Sequence, residues 1–385
     1  MAFPRFILTP YTCLEITYAK LLYLVASARK FRKNIIFALM KKKVFIGPYG
    51  RGKTPKNGAS IKNCQLLNHF RNIGVQITPI DTEDWKLRPS VLLKLFFSLL
   101  TNANGTFILA ADSPSVYKLL RFISYMPGNR HLIYWVIGGS VANRIKDGTY
   151  SADCYNKISW FLVEGNNMKQ TLEECGFSGK VICVPNFKEI NYIPNKIKPD
   201  SNITKFVFLS RIIPDKGCNL IIEATRQLNA CYGDRFLVDF YGPIGQQYSQ
   251  SFLKAVESTP NISYKGFLYL FKQDGLDTLA SYSCMLFPTF WHGEGFPGIL
   301  IDAFVTGLPV IASNWNMNEE ILKDGETGII CKAMDVKSLR DAMERVILYP
   351  EQVQKMSENC TKLALRYNTE NILTEDLLKR IGILD

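Results

Sequence analysis

Histidine is scarce in this sequence of 385 residues, and its cysteines are scattered. The only histidines are His69, His131 and His292, and none of the ten cysteines belongs to a CxxC pair. Structural zinc sites need clustered cysteine and histidine ligands, and disulfide frameworks belong to oxidising compartments. We therefore expect reduced thiols, a cytoplasmic location and no metal site.

Long apolar runs are missing as well. The apolar runs near the N-terminus, LLYLVASA (21–28) and IIFALM (35–40), are far shorter than the about 20 residues that cross a bilayer. No small-residue cleavage site follows them in the way that a secretory signal requires. The sequence therefore predicts neither a membrane-spanning helix nor a secretory leader, and it contains no internal repeat.

Acidic residues are rare at the start of the chain. Residues 1–60 contain twelve Lys and Arg and one acidic residue, Glu15, so they account for +11 of the total charge of +12. Because this excess is local, it is not the footprint of a nucleic-acid-binding protein. Residues 1–39 have two interpretations: a basic segment on the anionic inner face of a membrane, or an extension outside the fold. In the second case the natural chain would start at Met40, which leads through three lysines into a strand-like VFI.

The segment at residues 285–312 has the pattern of one βαβ unit. The apolar run MLF (285–287) leads into a glycine- and proline-rich turn, a helix-compatible segment follows, and VIA (310–312) is typical of a buried strand. Such a turn directs backbone N–H groups and a helix N-terminus at an anion. Glu294 in the turn and Asp302, eight residues later, can accept hydrogen bonds from sugar and ribose hydroxyls. A nucleotide sugar offers both the anion and the hydroxyls.

Two cations occupy the turn of another predicted strand–helix unit. FVFLS (206–210) is typical of a buried strand, NLIIEATRQL (219–228) has helical periodicity, and Arg211 and Lys216 lie between them. Arg can bind a diphosphate through two parallel hydrogen bonds, and Lys can bind it as a point charge. Two such residues on one loop can therefore converge on a single diphosphate.

Together these motifs resemble family 4 (group 1) of the retaining glycosyltransferases, which have the GT-B fold and include bacterial enzymes of surface polysaccharide synthesis. EGFPGILIDAFVTGLPVIAS is similar to the family signature, in which two acidic residues are separated by seven others. Asp302 departs from the signature, because the family usually has Glu at both places. Arg211 and Lys216 in RIIPDKG resemble the family's Arg…Lys-Gly pair, which stabilises the leaving nucleoside diphosphate.

The resemblance implies a hexosyltransferase-type enzyme that moves a sugar from a nucleotide-sugar donor to a glycan or lipid-linked acceptor with retention of configuration. It implies no metal and no other cofactor, and nucleic acid is not an expected partner. The implied catalytic residues are Glu294, Arg211 and Lys216. The implied donor-binding residues are Gly58, Gly295, Phe296, Pro297, Gly298 and Asp302.

A second motif points to a different class of enzyme. GPYGRGKT (47–54) matches the Walker A pattern of P-loop NTPases, and FILAAD (107–112) could be its Walker B strand. A P-loop, however, needs a helix that starts at its Gly-Lys-Thr, and the Pro-Lys-Asn-Gly that follows here favours a loop. We favour a long glycine-rich loop that ends at residues 57–60. It resembles the loop with which family 4 transferases approach the donor diphosphate.

Length and strand pattern indicate two domains of the α/β class. Six apolar runs between residues 44 and 185, among them LIYWVIGG (132–139) and SWFLVEG (159–165), lack polar alternation and are typical of buried parallel strands. We expect two doubly wound Rossmann-like domains that face a cleft, which is the GT-B arrangement. The expected units are a basic extension at 1–39, an acceptor-side domain at 40–195, a donor domain at 203–367 and, at 368–385, a C-terminal helix that returns to the first domain.

Two further functions stay open. A nucleotide-sugar epimerase of GT-B fold would need acid and base carboxylates and usually histidines in the cleft, whereas this chain has few histidines. A nonenzymatic partner subunit would have a degenerate site. Here Glu294, Arg211 and Lys216 match the family, and only Asp302 departs from it.

Overall fold

Two parallel sheets form the framework of the protein. The computed structural model describes residues 42–50, 52, 57–193, 203–270 and 272–385, and within them twelve strands form two sheets of six. Three of the expected features lie outside the described residues: the extension at 1–39, most of the Arg-Gly-Lys-Thr of the Walker-like motif, and residues 194–202 between the two expected domains.

The first sheet has the strand order β2-β1-β3-β4-β5-β6, and all of its strand pairs are parallel. The chain adds β2 on one side of β1 and the later strands on the other, so a topological switch point lies between β1 and β3. The strands are β1 (Lys43–Gly47), β2 (Ile77–Asp81), β3 (Thr106–Leu109), β4 (His131–Trp135), β5 (Ile158–Val163) and β6 (Val181–Cys183).

Within the described residues, five helices accompany this sheet: α1 (Gly58–Asn72), α2 (Pro89–Thr101), α3 (Ser113–Ser124), α4 (Val141–Lys146) and α5 (Asn166–Leu172). Helix α1 begins with a capping box. The Asn57 side chain accepts a hydrogen bond from the Ser60 amide, and the Ser60 hydroxyl oxygen accepts one from the Asn57 amide. Neighbouring side chains of one strand enter opposite cores. Val44 packs with α2 to α5, whereas Phe45 packs on the other face with α1.

The second sheet has the order β12-β11-β10-β7-β8-β9 and is also parallel throughout. Its switch point lies between β7 and β10, because the chain first adds β8 and β9 on one side and then returns to the other. The strands are β7 (Thr204–Leu209), β8 (Phe236–Tyr241), β9 (Ile262–Tyr264), β10 (Cys284–Phe287), β11 (Val310–Ser313) and β12 (Gly328–Cys331).

The helices of the second half are α6 (Cys218–Tyr232), α7 (Ser249–Glu257), α8 (Gln273–Ala280), α9 (Gly298–Val305), α10 (Asn318–Ile321), α11 (Val336–Leu348), α12 (Pro350–Ala364), α13 (Thr369–Ile372) and α14 (Glu375–Arg380). The last of them crosses back to the first sheet, where Leu378 and Ile381 share a buried cluster with Phe45 and Trp135. A helix long and apolar enough to cross a bilayer does not occur in the described ranges.

The predicted fold class is confirmed, since both sheets are parallel, doubly wound and accompanied by helices. Two predicted strands were too long. The strand expected at 132–139 ends at Trp135, and the one expected at 159–165 ends at Val163. Buried apolar residues such as Val136 continue past the last ladder residue, so apolar content alone cannot mark the strand end. The residues that follow, Gly138–Gly139 and Glu164, therefore lie in loops at the carboxyl edge of the sheet.

Candidate active site in the cleft

Two loops meet at the switch point of the second sheet. The cation loop (210–217) follows β7, and the Glu294 loop (288–297) follows β10. They are tied together, because the Phe290 amide donates to the Asp215 carbonyl at 2.8 Å. Gly217 has a φ of 82°, and a Cβ there would lie 2.3 Å from the Pro288 carbonyl oxygen. Only glycine therefore allows the two loops to approach this closely.

Lys216 and Glu294 form a direct ion pair across these loops. The Lys216 ammonium donates to Oε2 of Glu294, and the Thr289 hydroxyl donates to the same oxygen at 3.1 Å. Lys216 is buried, and its Nζ lies 5.7 Å from the centre of the Phe287 ring. The structure thus brings together two residues that the sequence placed in separate motifs, and it fixes the carboxylate beside a cation.

Arg211 is exposed and lies beside the same two loops. Its guanidinium lies 5.3 Å from the centre of the Trp291 ring, which belongs to the Glu294 loop. No carboxylate of the described residues lies within ion-pair distance of Arg211. Stacking on Trp291 orients the guanidinium while its N–H donors stay available to an anion.

The backbone of the Glu294 loop is held by residues from outside the second sheet. The Phe296 amide donates to Oε2 of Glu164 at 2.8 Å, and the Phe296 carbonyl accepts from the Asn186 side chain at 3.0 Å. The family resemblance assigned Gly295, Phe296, Pro297 and Gly298 to donor binding, which a turn of this kind would provide through its backbone N–H groups. Proline has no N–H, so Pro297 contributes none, and the Phe296 amide already has a carboxylate partner.

Glu164 belongs to a buried ion pair that the sequence did not predict. Its Oε1 accepts from Lys62 at 2.5 Å, and both side chains are almost fully buried. Lys62 lies on α1, about one turn after Gly58, the first residue of that helix. Gly58, one of the residues implied to bind the donor, is therefore the first residue of this helix. The next turn of the helix contacts the Glu294 loop indirectly, because Lys62 pairs with Glu164 and Glu164 accepts from the Phe296 amide. The sequence signal that could have identified Glu164 as a site residue is its position directly after a buried strand.

Asp302 also has a partner from the first half of the chain. It lies on α9, and its carboxylate accepts from Lys188 in the segment after β6. Burial raises the pKa of the Asp302 carboxyl above its ordinary value, while the nearby Lys188 acts in the opposite direction. A ribose at Asp302 would therefore meet an acidic group that is already paired with an ammonium.

The two halves also touch backbone to backbone. A Cβ on Gly139, in the loop after β4, would lie 2.3 Å from the Glu294 carbonyl oxygen. A Cβ on Gly295 would lie 3.2 Å from the Gly138 Cα and 2.7 Å from Oε2 of Glu164. Larger residues at these positions would force the Glu294 loop away from the first sheet.

The chemistry of this cleft suits a ligand with an anionic and a hydroxylated part. Arg211 and Lys216 can bind phosphate oxygens, and the carboxylates of Glu294 and Asp302 can accept hydrogen bonds from hydroxyls. Groups of three or more His, Cys, Asp or Glu side chains that could hold a metal ion do not occur in the described part of the chain.

Comparison with known proteins agrees with this chemistry. Residues 189–363, which include both loops of the switch point, match the model of the family described as Glycosyl transferases group 1. CapH, a capsular polysaccharide biosynthesis glycosyltransferase of Staphylococcus aureus, is 26% identical over 221 residues, which cover 52% of this chain and 60% of that protein. A 2-deoxystreptamine N-acetyl-D-glucosaminyltransferase of Niallia circulans is 27% identical over 142 residues, covering 37% of this chain and 35% of that protein. The match thus spans less than two thirds of either relative.

Solved structures extend the likeness to both sheets. HepE of Anabaena, crystallised in complex with UDP, has a TM-score of 0.67 and 14% identity, and the alignment covers 89% of this chain and 100% of that one. At this identity the likeness concerns the fold. The chain therefore has the two-domain GT-B fold, and its residues 189–363 match the model of the glycosyl transferases group 1 family.

Proposed function

We propose that this protein is a glycosyltransferase that moves a sugar from a nucleotide-sugar donor to an acceptor hydroxyl with retention of configuration. The observation that carries the proposal is the Lys216–Glu294 pair at the switch point of the second sheet, with Arg211 beside it. Open α/β sheets bind their ligands at such points. The match to the group 1 family covers all three residues.

Electrostatic stabilisation of the leaving diphosphate is the main contribution of the protein. Negative charge builds up on that group as the bond to the sugar breaks, and Arg211 and Lys216 lie where they can stabilise it. An ammonium has three donors, so Lys216 can keep its contact with Glu294 while it binds a phosphate oxygen. In the retaining mechanism that the family resemblance implies, a donor phosphate oxygen takes the acceptor's proton. The protein then needs neither its own base nor a metal ion.

Glu294 and Asp302 orient the rest of the donor. The Glu294 carboxylate accepts from a sugar hydroxyl, and Asp302, which lies one helix further on, accepts from the ribose. Because Lys188 occupies part of the Asp302 carboxylate, we expect the ribose to share that group with the ammonium rather than replace it. HepE was solved with UDP, so UDP-sugars are the first donors to test.

The acceptor is a glycan or a lipid-linked glycan of a surface polysaccharide. By its name, CapH acts in capsular polysaccharide biosynthesis, and its alignment covers 52% of this chain. We expect such an acceptor at the inner face of the membrane, where a basic extension would be attracted by anionic lipids.

Saturation-transfer NMR with UDP-, GDP-, ADP- and dTDP-sugars tests the donor class directly. We expect one nucleotide to give strong transfer and the same sugar donor to support turnover in the presence of EDTA. The anomeric configuration of the product, read from its NMR coupling constants, tests retention. Binding of none of these donors, or a product of inverted configuration, would contradict the proposal. Conversion of the donor into an isomeric nucleotide sugar, without release of the diphosphate, would favour the epimerase.

A further inference from the structure

Three lysine–carboxylate pairs of the described residues lie around the Glu294 loop and α9, and they differ in how much of the pair a ligand can reach. In the Lys62–Glu164 pair both carboxylate oxygens are used, because Oε1 accepts from Lys62 and Oε2 accepts from the Phe296 amide. The two side chains are only 4% and 6% exposed. Both oxygens of Glu164 thus have protein partners, as expected of a pair that holds a loop.

The Lys188–Asp302 pair is only partly used. Lys188 donates to Oδ2 of Asp302, and no described residue donates to the other carboxylate oxygen or accepts from the other two N–H groups of the ammonium. The side chains of Lys188 and Asp302 are 18% and 11% exposed, so a ligand in the cleft can reach them. In this respect the pair resembles Lys216–Glu294, at 6% and 12%, rather than the closed pair.

The backbone of Lys188 is fixed on both sides. Lys188 lies in the segment after β6, which leads from the first sheet to the second. Its amide donates to the Tyr367 carbonyl at 3.0 Å, and its carbonyl accepts from the Thr369 amide at 2.9 Å. Two residues earlier, the Asn186 side chain donates to the Phe296 carbonyl of the Glu294 loop. The Lys188 side chain therefore starts from a defined place beside this loop, and only its flexible end can adjust to a ligand.

The ammonium of Lys188 lies between Asp302 and the start of α9. A Cβ on Gly298, the first residue of α9, would lie 3.5 Å from Cε of Lys188 and 3.9 Å from its Nζ. Asp302 follows about one helical turn later. The pair therefore presents N–H donors towards the Glu294 loop and a carboxylate oxygen next to them. Two adjacent hydroxyls of a ribose can match such a pair, because each hydroxyl can either donate or accept.

We propose that Lys188 is a further donor-binding residue, and that together with Asp302 it binds the 2′,3′-diol of a ribose. One hydroxyl donates to the Asp302 carboxylate, and the oxygen of the other accepts from the Lys188 ammonium. The assignment rests on the glycosyl transfer proposed above, in which Asp302 faces the ribose. It restricts the donor to a ribonucleoside diphosphate sugar, so dTDP-sugars, which lack the 2′-hydroxyl, are excluded.

Isothermal titration of the full chain with UDP, 2′-deoxy-UDP and 3′-deoxy-UDP tests the proposal. The three ligands share the base and the diphosphate, and each analogue lacks one hydroxyl. A site built for a hydroxyl rejects the analogue without it, because a charged group of the protein then loses its partner. The wild type should therefore bind UDP at least about tenfold more tightly than either analogue. If the donor screen selects another base, the deoxy analogues of that nucleotide replace those of UDP.

Substitutions at Lys188 separate ribose recognition from a structural role. In Lys188→Met the affinity for at least one deoxy analogue should come within about threefold of that for UDP, since the ammonium no longer selects the hydroxyl. Glu189→Gln is the matched control, because Glu189 is the next residue of the same segment and is exposed, and it should keep the full discrimination. Thermal unfolding checks the fold of each variant. Lys188→Gln removes the charge but keeps an N–H donor for Asp302, so it gives the same comparison if Lys188→Met is unstable.

Loss of affinity by the same factor for all three ligands in the Lys188 variants would overturn the proposal, because it would show that Lys188 only supports the structure of the site. Equal binding of UDP and its deoxy analogues by the wild type would also overturn it, and so would a preference for dTDP. In each of these cases a nucleotide still binds, so the proposed function stands. If no nucleoside diphosphate binds, the proposed function itself fails, and the assignment of Lys188 fails with it.

Discussion

The two halves of the cleft contribute to the site in different ways. The second sheet supplies Arg211, Lys216 and Glu294 from two neighbouring loops, and these side chains can contact a ligand directly. The first domain supplies Lys62 and Glu164, a buried pair separated by 102 residues in sequence. This pair acts on the site through the backbone of the Glu294 loop.

The difference suggests a division of roles. We expect the polar groups that face a ligand to determine the reaction rate. A buried pair that holds a loop instead determines how closely the two domains pack. Removing a charge from the first domain should therefore mainly lower stability, and removing one from the second should mainly lower the rate. The following predictions test this division.

The largest expected effect is on stability. Lys62→Met leaves the buried Glu164 carboxylate without its cation, so we expect the free energy of unfolding to fall by about 3 kcal/mol. The double variant with Glu164→Gln should recover much of the loss, since it also removes the unpaired charge. Urea denaturation of the two single variants and the double variant measures both effects.

Lys146→Met is the matched control for that experiment. Lys146 also pairs with a glutamate, Glu174, at 2.9 Å, but both side chains are about half exposed. Breaking such a surface pair should cost less than about 1 kcal/mol. Equal losses in Lys62→Met and Lys146→Met would show that burial of the Lys62–Glu164 pair is not what makes it important.

Glu294→Gln should affect the rate instead. The substitution keeps the shape of the side chain and removes its charge, so we expect kcat to fall at least about a hundredfold while the protein remains folded. Steady-state kinetics and thermal unfolding measure the two properties on the same sample. Glu319→Gln, at an exposed site on α10, is the control and should leave both unchanged. Full activity of Glu294→Gln would remove Glu294 from the proposed mechanism.

Gly139→Ala tests the backbone contact between the halves. The added Cβ would lie 2.3 Å from the Glu294 carbonyl oxygen, so the loop or the domain must move. Because small displacements of catalytic groups are costly, we expect kcat/KM to fall at least about tenfold. Affinity for free UDP should change little, since the diphosphate site proposed above lies in the second domain. A normal kcat/KM would show that the two halves do not need this close approach.

The sequence singled out Lys216 and Glu294, which the structure brings together, but it did not single out Lys62 and Glu164, for a physical reason. Glu294 and Lys216 lie in short motifs directly after apolar strands, and parallel strands bring their carboxyl ends to one edge of a sheet. Glu164 also follows a strand, but it stood inside an apolar run that had the pattern of a longer strand. Lys62 has the pattern of a solvent-facing helical residue. Only the packing of the helix against the sheet brings it to Glu164, and no local pattern encodes that contact.

Arg211→Ala and Lys216→Ala should each weaken binding of the free nucleoside diphosphate about tenfold. The two losses should be less than additive, because both cations bind one ligand. Arg235→Ala is the control, since Arg235 also stacks on an aromatic ring, 5.5 Å from the centre of Tyr232, but on another side of the domain. Calorimetry with UDP compares the four proteins. Unchanged affinity in both site variants would exclude the diphosphate site proposed here.

The smallest effect is expected in the glycine-rich loop after β1. Helix α1 begins at Gly58 with Asn57 as its N-cap, so its N-terminus is not at Lys53, where a P-loop would need it. Lys53→Ala should therefore leave glycosyl transfer within a few fold of wild type, and the wild-type protein should not hydrolyse ATP with magnesium. Gly58→Ala is informative beside it: a Cβ there meets no atom of the described residues within 4 Å, so we expect the free protein to tolerate it. A drop in donor affinity in Gly58→Ala alone would indicate that the donor approaches the start of α1. Magnesium-dependent ATP hydrolysis that Lys53→Ala abolishes would instead assign this loop, and the first domain with it, to an NTPase.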